Sequence, residues 1–530
     1  VLTRRALAWA AAGAALGTHA LARAGTPADT LVLAQAIDDL VSLDPQQAFE
    51  PTAGEIVGNC YERLLAIDID EPSRLRPEVA SHWSLAADGR TWRFDRQAGQ
   101  RFASGHALTA DDVAFSLQRA VLLDQPPAFI LGQFGLTPAN VRDKVRAPGP
   151  LTLTLETDQA YVPDLVLKCL TANVASVVDR ALLLTKEVSG DLGLAWLRNH
   201  HAGSGALSVR EWRANEGVVL DRNPLHRSGG SRLAHVIYRH VKEAGVQRLL
   251  LEKGDIDIAR NLTPVEIEAL SAHPSIGLAS APKGTLFYIA LNQKHPILSR
   301  PEVREAFKWL VDYDAIGATL LRHVGVVHQN FLPPGLPGAS TERPFRLDVE
   351  RARRLLAQAG VPDGFKVSID MRSVQPLQGL TEAVQQTFRL AGIELLILPG
   401  DGRQVMSRYR ARRHELYIGT RGVDYWDPHS NADTFTRNPD NGDDARVRPT
   451  AWRNAWDIPE LTRQSDAAAR ERDPLRRRRL YEALQAEFRR GSPFVMLAQW
   501  VEVAAFRQGV RGLRIGPTTD TTCLWRVSKG

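Results

Sequence analysis

The side chains best suited to covalent or metal chemistry stand at spacings that do not support it. Ser204 sits between Gly203 and Gly205, without the outer glycine spacing of a G-x-S-x-G nucleophile elbow. His200 and His201 are adjacent, so they cannot share a helical face as ligands at i and i+4 would. Fourteen histidines are scattered along the chain and read as surface or capping residues before metal ligands. There is no H-E-x-x-H, no Walker A loop and no G-x-G-x-x-G between a strand and a helix. A dispersed triad would leave no such trace, so an exported hydrolase stays as an alternative. The three cysteines, Cys60, Cys169 and Cys523, include no CxxC pair. An exporting cell could oxidise two of them and leave one unpaired, or all three are buried free thiols. No catalytic residue, metal site or cofactor is assigned.

The elements that would position any site alternate irregularly between strand and helix, which points to mixed α/β layers. Period-two patterns predict strands over Leu151–Thr157, Val236–His240, Leu286–Leu291, Lys366–Asp370 and Leu416–Gly419. Thr109, with Asp112 three residues on, is a capping box before Val113, Leu117 and Val121. Ser299 is expected to cap a helix with Pro301 in its first turn and Val303, Ala306, Phe307 and Leu310 on one face. Asp348 caps a helix ending at Gly360, and Gly392 ends the next. Asp473-Pro474 opens a helix that Gly491 stops. Pro333–Gly338 and Asn438–Pro449 read as loops.

A chain of 530 residues holds roughly three or four domains at about 150 residues each. Residues 1–24 are expected to be a secretory signal: Arg4 and Arg5, an uncharged run from Ala6 to Leu21, then Ala22-Arg23-Ala24 as an A-x-A cleavage site. The apolar run is short of the ~20 residues that span a bilayer. Thr3-Arg4-Arg5-Ala6-Leu7 resembles a twin-arginine signal with Leu7 in place of the usual Phe, and the export route stays open between the two. No cysteine marks a lipoprotein site, so a freely diffusing periplasmic protein is expected. The formal net charge is +6, and about +3 without Arg4, Arg5 and Arg23. Runs such as Arg476–Arg479 read as solvated helix faces, not as a nucleic-acid surface.

Several blocks, in order, carry a resemblance. They are Ser42-Leu43-Asp44-Pro45 with Tyr61-Glu62-Arg63-Leu64-Leu65, "RPEVASHWSLAADGRTWRF" from Arg76 to Phe94, and "LTADDVAFSLQR" from Leu108 to Arg119. "GSGALSVREW" from Gly203, "LDRNP" ending at Pro224, "EKGDIDIA" from Glu252, "LFYIALNQKHPILSRPEVREAF" from Leu286 and "DYWDP" from Asp424 follow. From about Thr30 onward the chain resembles the family 5 solute-binding proteins, the dipeptide-, oligopeptide- and nickel-binding proteins of bacterial importers. Ala206-Leu207 replaces the family's Pro-Tyr. Read physically, most of these blocks are structural: Asp88-Gly89 is a turn between Trp83 and Trp92, and the tryptophans with Phe94 are core. Function must be argued from the site.

The resemblance implies a two-lobed periplasmic-binding-protein clamp, type II, with an extra small domain in the first lobe and mixed sheets flanked by helices. Lobe one would comprise 25–287, including the small domain at about 60–200. Lobe two would be 288–495, and 496–530 would return to complete lobe one. The crossings fall near Tyr288–Asn292 and Pro493–Trp500. A ligand between the lobes favours closure, and importer permease subunits in the inner membrane would read the closed state.

The resemblance also implies that Asp424 meets the α-amino group of a peptide ligand, since buried charges need partners. Taken alone, Asp424 is a turn residue before Tyr425-Trp426-Asp427-Pro428. Tyr425, Trp426 and Trp500 are candidate cleft walls, Asn292 at the outward crossing a candidate contact, and Arg421, ahead of Arg372 and Arg403, the candidate carboxylate partner. Within the same fold a nickel chelate, an opine-like conjugate or an oligosaccharide is the alternative ligand, and His429 keeps the chelate open. A chaperone or adhesion role is a further alternative. A monomer is expected.

Overall fold

The computed structural model describes residues 25–530; the expected signal, 1–24, lies outside the described residues. An eleven-stranded mixed sheet runs through the molecule. At one end Thr30–Gln35 pairs in parallel with His235–His240 and Ile258–Ala259. At the other, Lys366–Arg372 pairs in parallel with Glu394–Gly400 and Leu416–Gly422. Parallel strands are covered on both faces, so Thr30–Gln35 reads as an almost unbroken apolar run and is buried along nearly its whole length.

Two long antiparallel strands, Ile276–Leu291 and Phe494–Arg507, join these ends. Their register breaks between Pro282, opposite Val501, and Leu286, opposite Gln499. Pro282 has no N–H to give the ladder, and a break of this kind bends a strand pair. Each half-sheet has its own core. One gathers Leu31, Leu33, Val236 and Ala504; the other gathers Phe287, Ile289, Ile369, Phe388 and Leu497.

A separate four-stranded sheet, in the order Ala80–Leu85, Thr91–Arg96, Thr152–Glu156, Val145–Gly149, is covered by helix Ala110–Leu123. Trp92, Phe94, Phe102 and Leu117 are buried between them. The Asp88 carboxylate accepts from the N–H groups of Arg90 and Thr91 at 2.8 and 2.9 Å, and Gly89 takes φ +68°, so the turn is as the sequence predicts.

Every predicted strand corresponds to an observed one, though Leu151–Thr157 is shorter by a residue at each end, at Thr152–Glu156, and Leu286–Leu291 is only the end of a sixteen-residue strand. The Thr109–Asp112 capping box forms, and Asp348 and Asp473 cap their helices. Two ends differ. Pro301 occupies N1 of its helix, so Arg300, not Ser299, is the N-cap. Gly491 is the last helical residue, with Ser492 as C-cap.

Helix Pro51–Cys60 reaches the space between the lobes with its N-terminus and packs against the turn Thr519–Thr521. A Cβ on Gly58 would fall 2.0 Å from the Asp520 carbonyl oxygen, so backbone would have to move. Gly58→Ala is expected to lower folding stability by about 1–3 kcal/mol, read as an earlier urea midpoint at unchanged slope. An unchanged midpoint would mean that this contact yields freely.

Candidate functional site

The space between the lobes contains two connected cavities of about 170 and 120 Å3, which share Asp39, Pro51, Arg372, Leu377, Thr420 and Thr519. Asp38 and Asp39 follow Ala36-Ile37 just past the C-terminal end of parallel strand Thr30–Gln35, where open α/β sheets hold ligands. Arg372 comes from the matching end of Lys366–Arg372 in the other lobe. Arg372 Nη2 lies 2.5 Å from Asp38 Oδ1. Burial opposes the charge of Asp38, but Arg372, Lys242 and the Gly402 N–H hold its carboxyl well below the usual range. Glu50 meets Arg410 at 3.0 Å, and Asp124 meets Arg446 at 3.0 Å. These three pairs cross the cleft and hold the lobes together.

Arg421 and Asp424 stand together at the cleft. Arg421 lies near the end of strand Leu416–Gly422, in register with Leu286. Asp424 occupies the turn that follows, and its N–H donates to Ser430 Oγ at 2.7 Å. Arg421 Nη1 donates to Asp424 Oδ1 at 2.9 Å, and Nη2 donates to Oδ2 and to Thr434 Oγ1. The pair is largely buried, at 13% and 7% side-chain exposure. Burial works against the Arg421 charge, but Asp424 more than offsets it and its pKa is raised. The guanidinium also lies 5.2 Å from the Phe49 ring of the first lobe. Behind this pair, Asp427 caps helix Pro428–Phe435 through the His429 N–H at 2.8 Å and is gripped by Arg477 at 2.7 and 2.9 Å. Asp427-Pro428 is therefore scaffold.

The other sequence candidates are distributed unequally. Trp500 lines the cavity at the strand break, edge-on to Phe287. Tyr425 points the other way, into the core of the four-stranded domain, where its hydroxyl accepts from Gln133 Nε2 at 3.5 Å. Trp426 is buried in the second lobe with Phe331, Leu332 and Trp456. Asn292 is 3% exposed and ties a turn together: its Nδ2 donates to the carbonyls of Arg412 and His414 at 3.1 and 2.8 Å. Arg403 is exposed on helix Gly402–Arg410. His429 is fully buried, and burial lowers its pKa to about 3. Among the described residues no group of three or more His, Cys, Asp or Glu could hold a metal, and the three cysteines are buried free thiols. Ser204 donates to Glu62 at 2.8 Å, and His201 packs edge-on to Tyr61.

Sequence reasoning missed Asp38, Asp39, Glu50, Arg410 and Arg453 as cleft residues. For the Asp38-Asp39 pair a signal existed: two acids at the end of an apolar parallel-type strand. The floor of the cleft is a closed ionic network. Arg260 Nη1 donates to both Glu55 oxygens at 2.9 and 2.8 Å and Nη2 pairs with Glu502, while Lys283 donates to the Gly516 and Thr518 carbonyls at 2.7 Å each. Lys283 also meets Glu502 Oε2 at 3.2 Å, so two cations and two carboxylates tie the crossing strands together beneath the walls.

The sequence profile of the bacterial extracellular solute-binding proteins, family 5 (middle region), matches residues 74–443. A probable D,D-dipeptide-binding periplasmic protein of Escherichia coli (strain K12) is 27% identical over 321 residues, 60% of this chain and 60% of that protein. A glutathione-binding protein of Salmonella choleraesuis (strain SC-B67) is 21% identical over 490 residues, 91% of each chain. A Helicobacter pylori periplasmic binding protein solved with the peptide STSA superposes with a TM-score of 0.82 at 20% identity, covering 94% of this chain and 98% of that one. That likeness is to a two-lobed clamp. Among the described residues no helix is long and apolar enough to cross a membrane.

Proposed function

Because the chain belongs to the bacterial extracellular solute-binding proteins of family 5, which bind solutes for transport and are not enzymes, we propose that it captures a peptide or peptide-like zwitterion between its lobes and delivers it to an ABC permease in the inner membrane. The observation that carries this reading is the Arg421–Asp424 pair at the cleft. It offers a carboxylate for an ammonium and a guanidinium for a carboxylate within one site. Glutathione and a D,D-dipeptide, named for the two relatives, are both amino-acid conjugates with such groups.

In this reading lobe one comprises 25–287 and 496–530, with the small domain at about 60–200, and lobe two comprises 288–495. The protein works as a periplasmic monomer released from its signal near Ala24. The ion pairs across the cleft support closure as the delivered state, because a ligand that touches both lobes adds to contacts the closed form already makes.

A thermal-shift screen of the purified protein against di- to pentapeptides, opines, oligosaccharides and nickel chelates tests the ligand class. A true ligand at a hundredfold excess over its dissociation constant adds about 2.7 kcal/mol and raises Tm by a few degrees. Shifts confined to peptides or peptide-like conjugates with a free amino group are expected. Shifts confined to sugars or metal chelates would keep the family and overturn the ligand. Release of cleaved product from a bound peptide would overturn the transport role.

A further inference from the structure

A third chamber opens sideways from the cleft, behind the Arg421–Asp424 and Asp124–Arg446 pairs. It encloses about 730 Å3, within the ~300–1,000 Å3 range of small-molecule sites, against about 170 Å3 for the cavity beside Asp424. One wall is Phe129, Gln133 and Leu136 of the small domain; the other is Thr434, Arg448 and Arg453 of the second lobe. Phe49, Arg410, Arg421 and Arg453 line both chamber and cleft, so the two are one continuous space.

The acids lining this space match the arginines in number, but they are paired unevenly. In the cleft, Arg372 holds Asp38 and faces Asp39 at 3.8 Å, Arg410 holds Glu50, Arg421 holds Asp424, and Arg63 holds Asp520. In the chamber, Arg437 lies between Asp433 and Asp466 at 3.4 and 2.7 Å, and Arg446 pairs with Asp124. Because Arg372 and Arg437 each face two acids, two other arginines have no ion pair among the described residues. Arg448, at the exposed rim, donates to the carbonyls of Ala445 and Asp443, and Asp444 on the same rim offsets its charge. Arg453 is half-buried and has neither an ion pair nor a side-chain hydrogen bond among the described residues; its guanidinium lies 5.6 Å from the Tyr409 ring centroid. Burial and then the neighbouring charge of Arg410 lower its pKa from the usual arginine value. A poorly hydrated cation among cations is costly unless an anion joins it.

We propose that the ligand carries a negatively charged group that passes from the cleft into this chamber and is received by Arg453, so that the protein selects acidic peptide-like ligands over neutral ones. The inference rests on the reading that the cleft takes a peptide-like zwitterion, and it adds the sign of the charge on the ligand's branch. The planar guanidinium offers two parallel N–H donors to a carboxylate. Between Asp424 and Arg453 the path is flanked by Phe49 and Phe129, edge to face at 6.1 Å, which suits an apolar stem carrying the anion.

The test is isothermal titration of the purified protein with pairs of di- and tripeptides that differ only by Glu for Gln at one position, and with glutarate as a dicarboxylate lacking an ammonium. The acidic member of at least one pair is expected to bind about tenfold tighter or more. That ratio is expected to collapse toward one in Arg453→Gln and to persist in part in Arg453→Lys, with the melting temperatures of both variants recorded to show that they fold. Equal affinity within every pair, or a ratio indifferent to Arg453→Gln, overturns the inference and leaves the peptide reading standing. Glutarate binding that depends on Arg453, with no peptide bound, supports the anion site and overturns the peptide reading. Binding by no probe overturns both.

Discussion

Arg119→Met is expected to lower folding stability by about 3–5 kcal/mol, seen as a large fall in the urea midpoint. Arg119 and Asp44 are both wholly buried, at 0% side-chain exposure, and bond in parallel at 2.9 and 2.6 Å. Arg119 Nε also donates to the Leu192 carbonyl at 2.9 Å, and Nη1 reaches Gln46, whose own amide donates to Ser176. Methionine fills much of the volume but strands the Asp44 carboxylate and Gln46 Oε1 away from water and takes the donor from the Leu192 carbonyl. The size of the loss therefore measures an uncompensated charge and not the worth of the pair. The double variant Asp44→Leu with Arg119→Met separates the two, because it removes both charges and is expected to recover part of the loss. Additive losses in the double variant would count against the pair as the cause. The contact also joins two distant blocks of sequence: Ser42-Leu43-Asp44-Pro45 and the end of "LTADDVAFSLQR" are the two halves of one buried ion pair.

What could be read from the sequence was whatever depends on neighbours along the chain. The alternation in Thr152–Glu156, the Asp88-Gly89 turn and the Thr109–Asp112 box each involve residues a few positions apart, and each formed as expected. Ser299 failed as a cap by one position, because Pro301 can only start the helix at N1 and so puts the cap on Arg300. The candidate site was legible only where the same locality held. Arg421 and Asp424 lie three apart and face one space. Tyr425 and Trp426 are the next two residues, and the turn sends them into two different cores. No local pattern carries that direction. Arg453 could not be recognised at all, since what marks it is the missing partner, and partners such as Glu50 for Arg410 lie hundreds of residues away.

Asp424→Ala is expected to weaken binding of a peptide with a free α-amino group by about thirtyfold or more, the effect of removing one partner from a buried charge pair. The Arg421–Asp424 bond makes the interpretation of that loss less simple than for a lone carboxylate. A zwitterion entering the cleft can place its ammonium on Asp424 and its carboxylate on Arg421, dividing one internal pair into two with the ligand between them. The alternative is that Asp424 acts only on Arg421, fixing the guanidinium for the ligand's carboxylate. Titration of N-acetylated peptides separates these. If Asp424 meets the ammonium, acetylation weakens binding to the wild type, and Asp424→Ala costs the acetylated peptide far less than the free one. If Asp424 only positions Arg421, both peptides lose equally in Asp424→Ala, and Arg421→Gln reproduces the loss without adding to it. Equal losses would move the ligand's amino end elsewhere in the cleft, with the Asp38–Asp39 pair at the opposite wall as the next carboxylates to replace.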